Sequence, residues 1–489
     1  MIMQAATVNY GNLFNITLPE TILEVVSLVV LVVDLGWLRK SAQATRMGVA
    51  CMLGVLGCVG ALFWLLVHPT AVSVDGDALV ATPLVAAAQV GILLLSALVF
   101  LLSIKTEFSR NPGEFTAIVL LATTGMLLVT AARDLLVIFV ALELLSLSLY
   151  VLTAFAKRSA QSAESALKYY LFGGMSAALM LFGFSYLYGL TGTTNLTLMA
   201  PALSGGTVPL AIVALVLVAA GLGFKVAAVP FHLWAPDTYQ GAPAPVTALI
   251  ASGSKVASFA LLVAVSDGVI APFYSANGNS WIVLLLTMAI GSIVLGNLAA
   301  LAQTSVRRLL AYSAIAHAGY MLLGIAAHTP QSGAAVLYYA LTYALTTVGA
   351  FGVIGIVERS TGSDRMDAFA GLSRRNPLLA GTMLIFLLSL AGIPPLVGFW
   401  AKFNLFSAVL RSASAGNWGL ALVAAALGAS AISLYYYLQV LKRIYVLKPT
   451  QDEPLHVSSI ELATLLLIAL AVVALGLLPG MLSAWIPLG

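Results

Sequence analysis

Residues 221–239 read GLGFKVAAVPFHLWAPDTY. The stretch is apolar enough to lie in a membrane, yet it holds a lysine, a histidine, an aspartate and two prolines, Pro230 and Pro236. A proline inside a helix removes the bond to the fourth residue before it and frees a carbonyl. In hydrocarbon that carbonyl survives only against protein or a wet cavity. The segment therefore reads as a broken transmembrane helix with Lys225 beside the break. A second stretch repeats the pattern. Residues 389–403, SLAGIPPLVGFWAKF, place Pro394 and Pro395 in mid-helix and Lys402 after them.

The rest of the chain supports a membrane setting. Of its 489 residues, 61% are hydrophobic and only 8% charged, where a soluble domain carries about 25% charged. Mean hydropathy is +1.04. These values exclude a soluble globular protein, a disordered chain and a nucleic-acid binder, and make the lipid bilayer the first partner. Apolar runs bounded by glycine, proline and charge predict fourteen spans. They cover 18–37, 47–66, 80–103, 115–132, 135–155, 165–188, 208–229, 243–265, 281–301, 308–327, 333–357, 377–394 with a continuation to 411, 417–445 and 459–480. The fold class is thus an all-α polytopic membrane protein with discontinuous helices 7 and 12. Cys51 and Cys58 share one apolar stretch and read as small buried hydrophobes. No CxxC or His/Cys set points to a zinc or iron–sulfur centre. The opening MIMQAATVNY lacks a basic region and predicts no cleaved signal or transit peptide.

The placement of basic residues orients the spans. With the N-terminus outside, sixteen of the 22 fall in odd-numbered loops and two, Arg133 and Arg411, in even ones. The positive-inside rule then puts both termini on the outer side of the membrane. Four lysines are left over within spans: Lys168, Lys225, Lys255 and Lys402. Each costs about 2.5–3.5 kcal/mol at a helix centre unless it faces a cavity or a partner. Glu143 lies about 13 Å into its span, counted from Asp134. Glu164 stands four residues before Lys168, on the same helix face. Glu24, Asp34 and Glu461 read as nearer span ends, where charges reach the interface.

The two proline breaks are five helices apart, so their helices run in opposite directions. Two inverted five-helix units follow, 115–265 (spans 4–8) and 281–445 (spans 9–13), after a three-helix segment at 1–114 and before a last helix at 459–489. Inverted repeats with interrupted helices are a transporter pattern. The mapping pairs the span of Glu143 with that of His317, and Lys225 with Lys402.

A buried lysine near a movable carboxylate is a proton switch, because desolvation favours the neutral amine and a nearby carboxylate the ammonium. His317 and His232 titrate near neutrality and can relay protons, and His232 can also brace the unwound segment. A row of Glu143, Lys225, Lys255, His317 and Lys402 with alternating water access reads as a proton path. The alternatives are buried structural ion pairs, hydrogen-bonded core histidines, or a sodium site, which a lysine-rich lining opposes.

Three longer stretches carry a family resemblance. GFKVAAVPFHLWAPDTYQGAPAPVTALIASGSKVASF (223–259), RRLLAYSAIAHAGYMLLG (307–324) and LAGIPPLVGFWAKF (390–403), with the loop DRMDAFAGLSRRNP (364–377), resemble the antiporter-like membrane subunits of respiratory complex I. The likeness covers roughly 115–445. Lys402 stands where one member of the family has a glutamate, and the chain is too short for the lateral helix of the largest member. The resemblance implies that Glu143 and Lys225 form the coupled pair of an input half-channel. It makes Lys255 the central residue, His317 the relay of the second half and Lys402 the output-side lysine. Glu164 and Lys168 become a charged link towards a neighbouring subunit. It also implies a coupling subunit of a proton-translocating NADH:quinone oxidoreductase. FMN and iron–sulfur clusters, with NADH and quinone as substrates, then belong to partner chains and no cofactor to this one. GGMSAALMLFGFSYLYG (173–189) is apolar with no strand before it, so it is no dinucleotide fingerprint. The implied neighbours are the antiporter-like subunit M, the small subunit K and the lateral helix of subunit L. A subunit of a multisubunit sodium/proton antiporter and a passive scaffold are the competing classes.

Overall fold

The computed structural model describes residues 10–68, 72–74, 78–203, 209–270, 280–412, 416–449 and 453–486. Among them, thirteen helices are long and apolar enough to cross a membrane. The chain is a nearly all-helical multi-pass membrane protein. The helices are α1 (Tyr10–Trp37), α2 (Gln43–Val67), α3 (Pro83–Ser103), α4 (Pro112–Ala131), α5 (Leu135–Thr153) and α6 (Ala160–Thr191). The seventh crossing is α7 (Pro209–Val226), and α8 (Trp234–Gly241) follows it beyond the proline break. The eighth is split into α9 (Ala244–Ala251) and α10 (Gly253–Val265). Then come α11 (Ser280–Leu301), α12 (Val306–Ala327) and α13 (Ser332–Thr361). The helices α14 (Pro377–Ala391) and α15 (Val397–Leu410), each too short to cross alone, occupy the place of the expected twelfth span. The series ends with α16 (Gly416–Tyr445) and α17 (Ser459–Leu477).

Three local expectations are corrected. A hairpin, β1 (Val72–Val74) against β2 (Leu79–Ala81), occupies the residues where the third span was expected to begin. The helix starts later because Thr82 caps it, accepting from Val85 N at 3.2 Å, and Pro83 opens its first turn. The eighth span is interrupted at Ser252, whose φ and ψ of −116° and −91° are not helical. The first helix begins at Tyr10, well before residue 18, so Glu24 lies in its middle and not near its end. The polar run YGNLFNITLPE (10–20) folds as helix despite Pro19. The carbonyl that Pro19 frees, that of Asn15, accepts from Trp64 Nε1 at 3.2 Å. Asp34 and Glu461 do lie near helix ends and are paired there, with Arg46 at 2.7 Å and Arg359 at 2.5 Å.

One turn design occurs twice. α6 ends at Gly192 with φ 71° and α13 ends at Gly362 with φ 70°, the left-handed conformation that glycine adopts without a Cβ clash. After each, the chain pairs by an isolated bridge with the residue capping an earlier helix, Asn195 with Asp134 and Arg365 with Ser305. Thr194 donates to the Asp134 carboxylate, and Ser305 donates to that of Asp364.

The two proline breaks also share a geometry. α7 ends with Ala228 N donating to Gly223 O at 2.8 Å, and α14 ends with Ile393 N donating to Leu388 O at 3.1 Å. Both are the six-to-one closure of a Schellman cap. The residue after each helix, Ala227 or Gly392, has φ 59° or 88°. The opened backbone is satisfied locally. Trp234 Nε1 donates to Phe224 O at 3.0 Å, and Val229 N to Ser292 Oγ at 2.9 Å.

Candidate functional site

Each break sets a lysine against the negative end of a half-helix. Lys225 lies in the last turn of α7. Lys402, one turn into α15, reaches back across the break to the end of α14. Its amine donates to Ala391 O at 2.7 Å, Leu390 O at 3.2 Å and Ser430 Oγ of α16 at 2.7 Å. Helix C-termini carry partial negative charge and unpaired carbonyls, so the end of α14 holds the Lys402 cation without a carboxylate, and Lys225 complements the dipole of α7 from its last turn. Lys255 follows the break in the eighth crossing and donates to Ala314 O of α12 at 2.7 Å. All three lysines are buried. Among the described residues no carboxylate lies within 4.0 Å of any of the three amines.

Aromatic faces complete the cation shells. The Lys225 amine is 5.4 Å from the Phe224 ring centre, Lys255 is 5.6 Å from Tyr343, and Lys402 is 5.7 Å from Tyr320. These are cation–π distances.

Glu143 and Lys225 come near one another but do not pair. The Lys225 amine donates to Ser146, one helical turn from Glu143 on α5. Glu143 is half-buried with its Oε1 unpartnered. It shares a helix stripe with the exposed Leu136, Val140, Leu147 and Val151.

His317 sits between Lys255 and Lys402 in sequence and in packing. Its Nδ1 is 2.8 Å from the Tyr339 hydroxyl, its Nε2 3.5 Å from that of Tyr437, and Tyr437 bonds to Ser313. A cavity of about 10 Å³ touches His317, Thr342, Thr346, Ser389 and Ala401. That is room for roughly one water between the histidine and the helix of Lys402.

Glu164 and Lys168 stand apart from this row. They pair at 2.8 Å near the start of α6, and Lys168 is 42% exposed. Lys168 also donates to Asp237 at 2.8 Å, and Arg308 of α12 takes the other oxygen at 2.6 Å. Burial alone would raise the Asp237 carboxyl, but the bonds from Lys168 and Arg308 outweigh it and hold it below the usual range. His232 is buried beside the first break with its Nδ1 unpartnered. At the same face a cavity of about 510 Å³ is lined by Lys105, Glu107, Arg307, Glu358 and Glu461, and reaches Ala248 of α9.

Sequence reasoning missed the hydroxyl partners Ser146, Ser430, Tyr339 and Tyr437, the clamp role of Asp237, and the break at Ser252. A signal for the last existed in the run Ser252–Gly253–Ser254 just before Lys255.

Buried lysines at the ends of half-helices in a multi-pass bundle define the class of ion-handling membrane proteins with discontinuous helices. The family described as NADH:quinone oxidoreductase/Mrp antiporter, TM, matches residues 132–432, and the chain belongs to that family. The NADH-quinone oxidoreductase subunit N 2 of Acidobacterium capsulatum is 48% identical, over 98% of this chain and 99% of its own. A chain of respiratory complex I from Thermus thermophilus with bound aureothin is 36% identical with a TM-score of 0.78, over 95% of this chain and 98% of that one. A chain of the Mrp complex from Dietzia sp. has a TM-score of 0.82 at 21% identity, over 97% and 96%, and shows the shared fold alone. The resemblance to antiporter-like subunits of complex I is borne out.

Proposed function

We propose that the chain is the subunit N-type, proton-translocating component of the membrane arm of a complex I-type NADH:quinone oxidoreductase. High identity to complex I relatives over nearly the whole chain, against fold-level likeness to an Mrp chain, supports this class over the sodium/proton antiporter. The observation that carries the reading is the set of three buried lysines that have no carboxylate partner among the described residues. A charge kept in the membrane only to pack would be neutralised by a fixed counter-ion. These amines rest on hydroxyls, carbonyls and aromatic faces, which suit both the ammonium and the amine.

In this reading Glu143 and Lys225 load a proton from the cytoplasmic side, with Ser146 as the resting partner of the amine. Lys255 passes it along the centre, His317 with Tyr339 and Tyr437 relays it, and Lys402 delivers it to the outer side. Glu164 and Lys168 form a charged link at the cytoplasmic end of the axis, and His232 braces the first break. The recurring caps at Gly192 and Gly362 and the matched Schellman ends support two inverted five-helix units, 115–265 and 281–445, flanked by 1–114 and 459–489. The chain lies in a bacterial inner membrane with both termini periplasmic. Its neighbours are subunits M and K and the lateral helix of subunit L. FMN, iron–sulfur clusters, NADH and quinone are handled by partner chains, and redox energy reaches these lysines as motion and electrostatics.

The test is proton translocation by reconstituted complex carrying Glu143→Ala or Lys225→Ala. Both variants are expected to lower the protons moved per electron with normal assembly. Unchanged stoichiometry in both would overturn the assignment. Co-purification with flavin and iron–sulfur subunits separates this reading from the antiporter.

A further inference from the structure

The first helix carries charge that the proton row does not use. Tyr10 and Trp37, 77% and 82% exposed, mark the two ends of its 28-residue span, as interfacial aromatics do. At 1.5 Å per residue Glu24 is about 20 Å from either end, at the middle of the membrane. Its side chain is exposed, beside exposed Val25 and Leu28. A glutamate is too short to reach water from that depth, and a carboxylate there is costly in hydrocarbon unless it meets a partner.

A second carboxylate on this helix is covered by the chain itself. Glu20, one turn from Glu24 on the same face, is only 4% exposed, and its Oε2 has no hydrogen-bond partner. Thr17 and Thr21 continue the stripe, but their hydroxyls donate to Leu13 O and Thr17 O at 2.9 Å and so supply nothing to the carboxylates. The helix meets α2 through Ile22 and Val26, which lie against Gly60 and Gly57. It also packs against α4, and what these contacts leave exposed is the side of Glu24, Val25 and Leu28. Among the described residues neither carboxylate has an ion pair within 4.0 Å.

We propose that the exposed Glu24–Val25–Leu28 face of the first helix docks a transmembrane helix of another subunit that presents a basic side chain at the depth of Glu24. The proposal rests on the chain working inside a multisubunit membrane complex. Charge complementarity selects the occupant, because a lipid tail leaves the carboxylate unpaired and an apolar helix does no better.

The experiment uses the intact complex. A photo-crosslinking residue is placed at Leu28, one turn from a native Glu24, and adducts are mapped by mass spectrometry. The expected adduct lies in a membrane segment of another subunit, within one turn of a lysine, arginine or histidine. Adducts confined to lipid, or to a segment without a basic residue, would overturn the proposal. In parallel, Glu24→Lys is expected to cut retention of the crosslinked subunit through detergent purification at least tenfold, and Glu24→Gln severalfold. Wild-type retention in both variants would also overturn it. Neither failure touches the proton assignment, which depends on Lys225 and Glu143, and an inert Lys225→Ala would leave the docking result standing.

Discussion

At the residue scale the decisive quantity is what each buried amine touches. Removing one partner of a buried polar contact leaves the other unsatisfied and destabilises the fold. Lys402→Met takes the donor from Leu390 O, Ala391 O and Ser430 Oγ and is therefore expected to cost about 1–3 kcal/mol of stability while proton translocation falls at least tenfold. A large drop in melting temperature with pumping retained would mark Lys402 as structural. Ser146→Ala removes the hydroxyl that receives the Lys225 amine. A bond to a charged group is worth about 1.5–3 kcal/mol, so transfer through Lys225 is expected to slow by about tenfold or more, read as proton uptake per electron. The lysines were legible in the sequence because subtracting the loop charges isolates them. Their partners were not. Ser146 is one serine in LLSLSLY, and only the folded chain brings Lys225 to it from α7. Glu24 was misplaced because the polar start of its helix hides eight further helical residues.

Among elements, the proline breaks could be read directly, since a proline acts on its own helix whatever packs around it. The break at Ser252 and the hairpin at Val72–Ala81 could not. Serine and glycine interrupt a helix only where tertiary contacts favour it, and three-residue strands leave no alternation to detect. The twin caps permit a comparison. Gly192→Ala and Gly362→Ala each force a Cβ into a left-handed backbone and are expected to cost about 1–2 kcal/mol, measured by thermal unfolding. A loss at one site alone would show that the two turns are not equivalent. Asp237 joins α6, α8 and α12 through Lys168 and Arg308. Its folded carboxyl is held below the unfolded value, so its stabilisation is present above about pH 4 and lost as pH falls through the lower, folded value. Because the site is partly exposed, Asp237→Asn is expected to cost at most about 1 kcal/mol at neutral pH. The difference from wild type should shrink in acid. A gap that persists at pH 3 would assign the effect to packing.

For the whole molecule, charge asymmetry makes a claim about sides. Lys157 is 64% exposed after α5, and Leu198 is 59% exposed after α6. In sealed vesicles, a membrane-impermeant thiol reagent is expected to label Lys157→Cys from the cytoplasmic side only and Leu198→Cys from the opposite side only. The reverse pattern would invert the molecule. At this scale the meeting of Lys402 with the end of α14 has a further meaning. The group that answers the lysine is a pair of peptide carbonyls, Leu390 O and Ala391 O, and peptide carbonyls are not encoded by any one codon. Point mutation can delete the lysine but cannot delete its counter-charge, which vanishes only if the helix is re-laid. The negative half of this site is therefore heritable as a shape. A lineage could exchange the cation many times over and still keep the place that receives it.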